Sequence, residues 1–126
     1  DVANFLEENS GNEHLRPFLE PLAAAVERLD DVTEHVIKQA GDNPNAIGAA
    51  SVDYLDLFGL TALGYMWAKI VKAAAPRADS DTSGFYSGKL KTARFYFDRL
   101  LPKTVSLAEG IRSGSDSMMA LTAEEF

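Results

Sequence analysis

Hydrophobic positions are densest in Val52–Ala75, VDYLDLFGLTALGYMWAKIVKAAA, where they point in every direction around a helix instead of forming one stripe. From Leu57 to Ala68 no residue is charged. A helix that is apolar all round must be covered on all sides by its own protein or by lipid. Crossing a bilayer takes about 20 apolar residues, and Asp53, Asp56, Lys69 and Lys72 bracket a shorter run. The pattern therefore predicts the central, enclosed helix of a helical domain. Ser51 is its expected N-cap, with Asp53 and Asp56 early and Lys69 and Lys72 late, as the helix dipole favours. Pro76 is expected to end it. Gly59 and Gly64 each cost about 1 kcal/mol relative to alanine inside a helix, which points to close approach by neighbours at both.

The other periodic stretches read as companions of that helix. Asp1–Asn9 is a short helix with Val2, Phe5 and Leu6 on one face. Alone it is marginal in water, so it docks on the rest or continues a helix from upstream. The first residue, Asp1, is not methionine and lies inside this helical pattern, so a longer parent protein is expected. Ser10–Arg16 is a connector punctuated by Gly11 and Asn12. Pro17 or Pro21 opens the next helix, and Gly41 stands where a C-terminal glycine cap belongs. Its stripe is Leu22, Ala25, Val26, Leu29, Val32 and Val36, opposite an acidic face of Glu20, Glu27, Asp30, Asp31 and Glu34.

Asn43-Pro44 is a turn that opens either a short helix at Pro44–Ala49 or the central helix itself. Arg77–Gly84 is a polar loop, expected to be the most mobile segment. Phe85–Ser113 is the last long helix. Its apolar positions from Tyr86 and Leu90 through Phe97 to Ala108 and Ile111 keep a three-or-four spacing, and Pro102 should kink it or open one turn. Gly114 closes it, and the tail is expected to form one turn from Thr122. No strand pattern occurs; even Phe95–Phe97 lies inside the helical periodicity. The expected fold is all-α, an antiparallel up-and-down helical bundle of three long helices plus a short N-terminal helix, in one domain over residues 1–126.

Composition narrows the function. A chain of 126 residues with 46% hydrophobic content can build a core without a metal or disulfide. It contains no cysteine, which excludes thiol catalysis, cysteine–zinc sites and disulfides and fits a cytoplasmic protein. A formal charge of −7 argues against nucleic acid and against an anionic membrane surface as partners. No basic segment followed by an apolar one opens the chain in the manner of a secretory signal.

Candidate chemistry is sparse. His35 follows Asp31 by one helical turn, a spacing that can share a metal, but carboxylate-bridged bundle sites need Glu-x-x-His on two helices and the chain has none. His14 lacks a carboxylate at helical spacing. Both read as surface histidines, and no metal site is assigned. There is no Gly-x-Ser-x-Gly elbow and no dinucleotide or phosphate-binding glycine loop. The aromatics Tyr65, Trp67, Phe85, Tyr86, Phe95, Tyr96 and Phe97 could line a pocket, but at helical spacing they read first as core. Phe95 and Tyr96 fall off the main stripe and suggest contact with something outside the bundle. The basic positions Lys89, Lys91, Arg94, Arg99 and Lys103, against the acidic second helix, read as solvated faces or as a face for an acidic or phosphorylated partner.

Two stretches carry a family resemblance. DYLDLFGLTALGYMWAK (Asp53–Lys69) resembles the central helix of the C-terminal helical domain in one branch of the acyl-CoA dehydrogenases. FYSGKLKTARFYFDRLLPKTVSLAEGIRSGSDSMMAL (Phe85–Leu121), with its leucine-leucine-proline step at Leu100–Pro102, resembles the segment that ends those enzymes. The branch includes enzymes similar to 3-methylmercaptopropionyl-CoA dehydrogenase. The resemblance covers about half the chain, in order, and Gly11–Pro21 departs from it. It implies a parent flavoenzyme that removes α and β hydrogens from an acyl-CoA thioester, a carboxylate taking the α-proton and FAD the β-hydride. Those groups belong to upstream dehydrogenase domains, so no catalytic, cofactor-binding or metal residue is expected here. The implied role is an accessory bundle packed on the dehydrogenase body or a neighbouring subunit of a homo-oligomer. Its expected contact residues are Arg94, Phe95, Tyr96 and Arg99. The other reading is a free-standing helical module that binds an apolar ligand or a partner helix.

Overall fold

The apolar run at the centre of the sequence is the middle of a much longer helix. The computed structural model describes residues 1–126. Its helices are α1 (Val2–Glu8), α2 (Arg16–Ala40), α3 (Asn45–Ala78), α4 (Phe85–Arg99) and α5 (Lys103–Arg112), followed by a 3-10 turn at Ala123–Glu125. No strand forms, and the architecture is the expected all-α bundle. The α3 helix packs on α2, α4 and α5, α2 also packs on α5, and α1 docks on α2. By length and composition α3 could cross a membrane; its packing against three helices makes it the central helix of this bundle.

Several boundaries differ from the sequence pattern for local reasons. Ser51 lies inside α3, its hydroxyl donating to the Gly48 carbonyl at 2.9 Å. The helix starts instead at the Asn43-Pro44 turn, where Asn43 Oδ1 accepts the Asn45 N–H at 3.0 Å. The same Asn43 amide donates through Nδ2 to the Ser115 hydroxyl at 2.8 Å, and Ser115 is buried. Pro76 does not end α3: it sits in the last turn, which continues to Ala78, where the Arg77 guanidinium donates to the Ala73 carbonyl. Gly41 caps α2 with an ordinary right-handed backbone, φ −63°, whereas Gly114 takes φ +73° after α5.

The last long helix is broken in two by Pro102. Proline supplies no N–H, and bonds from Lys103 N–H to the Leu100 carbonyl and from Thr104 N–H to the Leu101 carbonyl close the turn. The break turns both Leu101 and Thr104 into the core. In the loop before α4, Asp81 accepts the Ser83 hydroxyl at 2.7 Å and the Tyr86 N–H at 3.3 Å. The Ser83 hydroxyl is the main cause that holds the Asp81 carboxyl below its usual range.

Two apolar clusters hold the helices together. The larger joins Phe5, Leu15, Phe18 and Leu22 of the N-terminal half to Ala68 and Val71 of α3 and to Ala93, Tyr96, Phe97 and Leu101. The smaller joins Val32, Ala50, Leu57, Ala108 and Ile111. Aromatic rings meet edge to face within the first cluster, Phe18 on Phe97 at 5.0 Å and Phe5 on Tyr65 at 5.3 Å. Gly64 permits a close approach of apolar side chains: a β-carbon there would lie 3.1 Å from Leu101 Cδ1 and 3.6 Å from Leu22 Cδ1. Gly59 does not, since a β-carbon there would meet nothing within 4 Å.

The expectation that α3 is enclosed on all sides fails. Only 22% of its most apolar 18-residue window is buried, and Val52, Leu55, Phe58, Leu63, Met66 and Ile70 are exposed. The reason is geometric. The companions α2 and α4–α5 meet each other as well as α3, so they cover one side of it and leave the other open.

The two glycines give a direct test of this packing. Gly64→Val should destabilise the fold by about 1–3 kcal/mol through overpacking against Leu101 and Leu22. Gly59→Ala should stabilise it, by up to about 1 kcal/mol, through helix propensity alone. Urea unfolding midpoints of the two variants check both; equal shifts would contradict the asymmetry.

Candidate functional site

The four residues expected to form one contact surface separate in the structure. Arg94 and Phe95 lie exposed on α4 and Arg99 is exposed at its end. Arg94 Nε donates to Asp98 Oδ2 at 3.0 Å within the same helix. Both partners are more than half exposed, and such one-turn pairs contribute only a few tenths of a kcal/mol. Tyr96 instead faces inward and is 4% exposed, a correction to its reading as an outward residue. Its ring packs against Phe97 and Trp67, and its hydroxyl donates to the Leu60 carbonyl of α3 at 2.6 Å. Four successive residues cover almost all directions around a helix, so Tyr96 and Phe97 share the buried side while Arg94 and Phe95 do not. Burial holds the Tyr96 phenol up at about 12.

The histidines are not brought into a metal cluster. His14 is exposed, and its backbone N–H donates to Asn12 Oδ1 at 3.0 Å. His35 is half-buried, with an Nε2 that has no partner. Asp31, one turn before it, pairs with Arg112 of α5 instead, and Arg112 also holds Glu109 at 2.6 Å. No group of three or more His, Cys, Asp or Glu side chains converges. On the same flank, Arg28 donates to the buried Thr104 hydroxyl at 3.2 Å, and Thr104 donates to the Leu101 carbonyl at 2.7 Å. The acidic α2 and the basic C-terminal half thus meet across the bundle at Asp31–Arg112, while Arg94 and Asp98 pair within α4.

The surface that stands out is the open face of α3, which the sequence reading did not assign. Val52, Leu55, Gly59, Ala62, Met66 and Ala73 follow one another at spacings of three and four, apart from Lys69 between the last two. This is an apolar stripe in helical register, interrupted by Lys69. Grooves flank it. One, of about 350 Å³, runs beside α2 and is lined by Val2, Val26, Leu29, Asp30, Phe58 and Met66 among others. Another, of about 510 Å³, runs beside α5 with Leu55, Leu63, Leu107, Asp56 and Lys103. A third, of about 630 Å³, lies where the end of α2 meets the start of α3, walled by Val36, Ile37, Ile47, Ala50 and Leu55. At its floor the Thr33 and Tyr54 hydroxyls share a 2.8 Å hydrogen bond. The first and third of these grooves are lined mainly by apolar side chains, whereas the one beside α5 also carries Asp56, Lys103 and Ser106.

Comparison with known proteins identifies a family. The family model described as "Acetyl-CoA dehydrogenase C-terminal like" matches residues 1–122, nearly the whole chain. No curated protein matches the chain.

The inward position of Tyr96 has a pH consequence. A phenol whose folded pKa stands near 12, against about 10 when unfolded, stabilises the fold fully below pH 10. That stability is lost as pH rises through the interval between the two values. Tyr96→Phe should flatten this alkaline limb and cost about 1 kcal/mol near neutrality through the lost bond to Leu60. Chemical denaturation at a series of pH values checks it; an unchanged alkaline limb would show that Tyr96 is not its source.

Proposed function

The chain belongs to the acetyl-CoA dehydrogenase C-terminal-like family, and on that premise we propose that it is the non-catalytic accessory domain of an FAD-dependent acyl-CoA dehydrogenase. In this reading the parent enzyme removes α and β hydrogens from an acyl-CoA thioester. Its base, flavin and acyl-CoA pocket reside in upstream dehydrogenase domains, and residues 1–126 act as one domain that holds no cofactor. The resemblance of Asp53–Lys69 and Phe85–Leu121 supports the branch that includes 3-methylmercaptopropionyl-CoA dehydrogenase-like enzymes. The domain packs on the dehydrogenase body or a neighbouring subunit, within a cytoplasmic homo-oligomer. Neither nucleic acid nor a membrane is its partner.

The single observation that carries the packing role is the open face of α3. The exposed fractions of Val52, Leu55, Phe58, Leu63, Met66 and Ile70 correspond to roughly 600 Å² of apolar surface, at the upper end of what single proteins leave uncovered. Each fully buried side chain of this size gains about 1.5–3 kcal/mol on leaving water, so covering the face is strongly favourable. A free-standing binding module is the second reading. It is favoured by the groove between Ile37 and Ile47, large and apolar enough for a small hydrophobic ligand.

Removing residues 1–126 from the parent separates the two. The accessory reading expects altered assembly, lower flavin occupancy or changed acyl-CoA kinetics, measured by sedimentation, flavin absorbance and steady-state assay. If all three stay unchanged, the accessory role is wrong.

A further inference from the structure

We infer that the open face of α3 is the surface that docks on the dehydrogenase domain directly preceding this one in the same chain, an inference that rests on the accessory-domain reading above. The face is a raised apolar stripe, not a cavity. Leu55, Phe58, Leu63 and Met66 project from it, flanked by grooves toward α2 and α5. A small ligand is held by a concave pocket that surrounds it. A ridge of about 600 Å² is instead close to the roughly 800 Å² that each partner contributes to a standard protein interface. The complementary surface is therefore an apolar trough on a protein.

The position of α1 selects which protein. Val2, in the first turn of α1, lines the same groove as Phe58 and Met66. A domain that precedes α1 in the parent chain thus meets the bundle at the rim of the open face. Such a tether holds the partner at about millimolar effective concentration, so a contact somewhat smaller than a free complex requires is sufficient. The charges at the rim support an apolar dock. Asp30 and Asp56 stand with Lys69 and Lys103, so the signs are mixed and no single-sign field steers a charged partner. Docking through this face should accordingly be insensitive to salt. The exposed residues of α4, Arg94, Phe95 and Arg99, remain outside the contact.

The test uses the full-length parent enzyme, with hydroxyl-radical oxidation read at Met66 and Phe95. Leu55→Glu combined with Leu63→Glu places two carboxylates on the ridge at positions already exposed in the bundle, so the bundle itself keeps its fold. Met66 should oxidise about tenfold faster in this variant than in the unmodified enzyme, as expected when a local contact opens, with Phe95 unchanged. Amine cross-linking of an equal mixture of heavy- and light-isotope chains then identifies the partner. Links from Lys69 or Lys103 to the preceding domain should join chains of one isotope only. Mixed-isotope links would assign the face to a neighbouring copy and overturn the inference. Met66 already freely oxidised in the unmodified enzyme, with Phe95 protected, would overturn it while leaving the accessory role intact. Free oxidation at both would end both readings.

Discussion

The structure is governed by one imbalance: a helix with apolar residues on every side and too few neighbours to cover them. At 34 residues α3 outruns the 25-residue α2, and at 1.5 Å per residue it extends over about 50 Å. The buried side, through Leu57, Gly64, Ala68 and Val71, is served by α2, α4 and α5. The other side has no helix. Every other feature of the bundle either improves the inner contact or follows from the outer one being left open.

On the inner side, tight approach comes from small residues and from a break in the chain. Ala25, Ala68, Ala93 and Ala108 are wholly buried, which lets helix axes come close without large side chains between them. The Pro102 turn then re-aims Leu101 so that its methyls sit over Gly64. Polar groups caught in the core keep partners: Thr61 donates to the Leu57 carbonyl at 2.8 Å, and Asn9 to the Phe5 carbonyl at 2.7 Å. Removing either acceptor geometry would leave a buried donor unpaired, at a cost of about 1–3 kcal/mol.

Much of this was legible in the residues. The stripe of α2, the break at Pro102 and the close approach at Gly64 follow from spacing and from proline and glycine chemistry. The open face was not legible, because a helix apolar on every side carries no mark that distinguishes covered positions from open ones. Leu55 and Leu57 look alike in sequence, yet one is 69% exposed and the other 0%. Gly59 misleads for the same reason, since a glycine with open space beside it and a glycine inside a contact read identically. Tyr96 was misplaced because its inward turn depends on α3 offering the Leu60 carbonyl, a partner 36 residues away. The start of α3 lies ahead of Ser51, a good cap by type, because the Asn43-Pro44 turn, with Asn43 Oδ1 accepting the Asn45 N–H, already opens the helix.

Asn43 also links parts of the chain that lie far apart in sequence. Its two amide atoms grip different elements: the oxygen fixes the first turn of α3, and the nitrogen holds Ser115, just beyond the last α-helix. Fraying at the carboxyl end is thereby transmitted to the opening turn of the central helix. Segments 72 residues apart along the backbone thus share one hydrogen bond beside the second cluster, which joins Ala50 to Ile111.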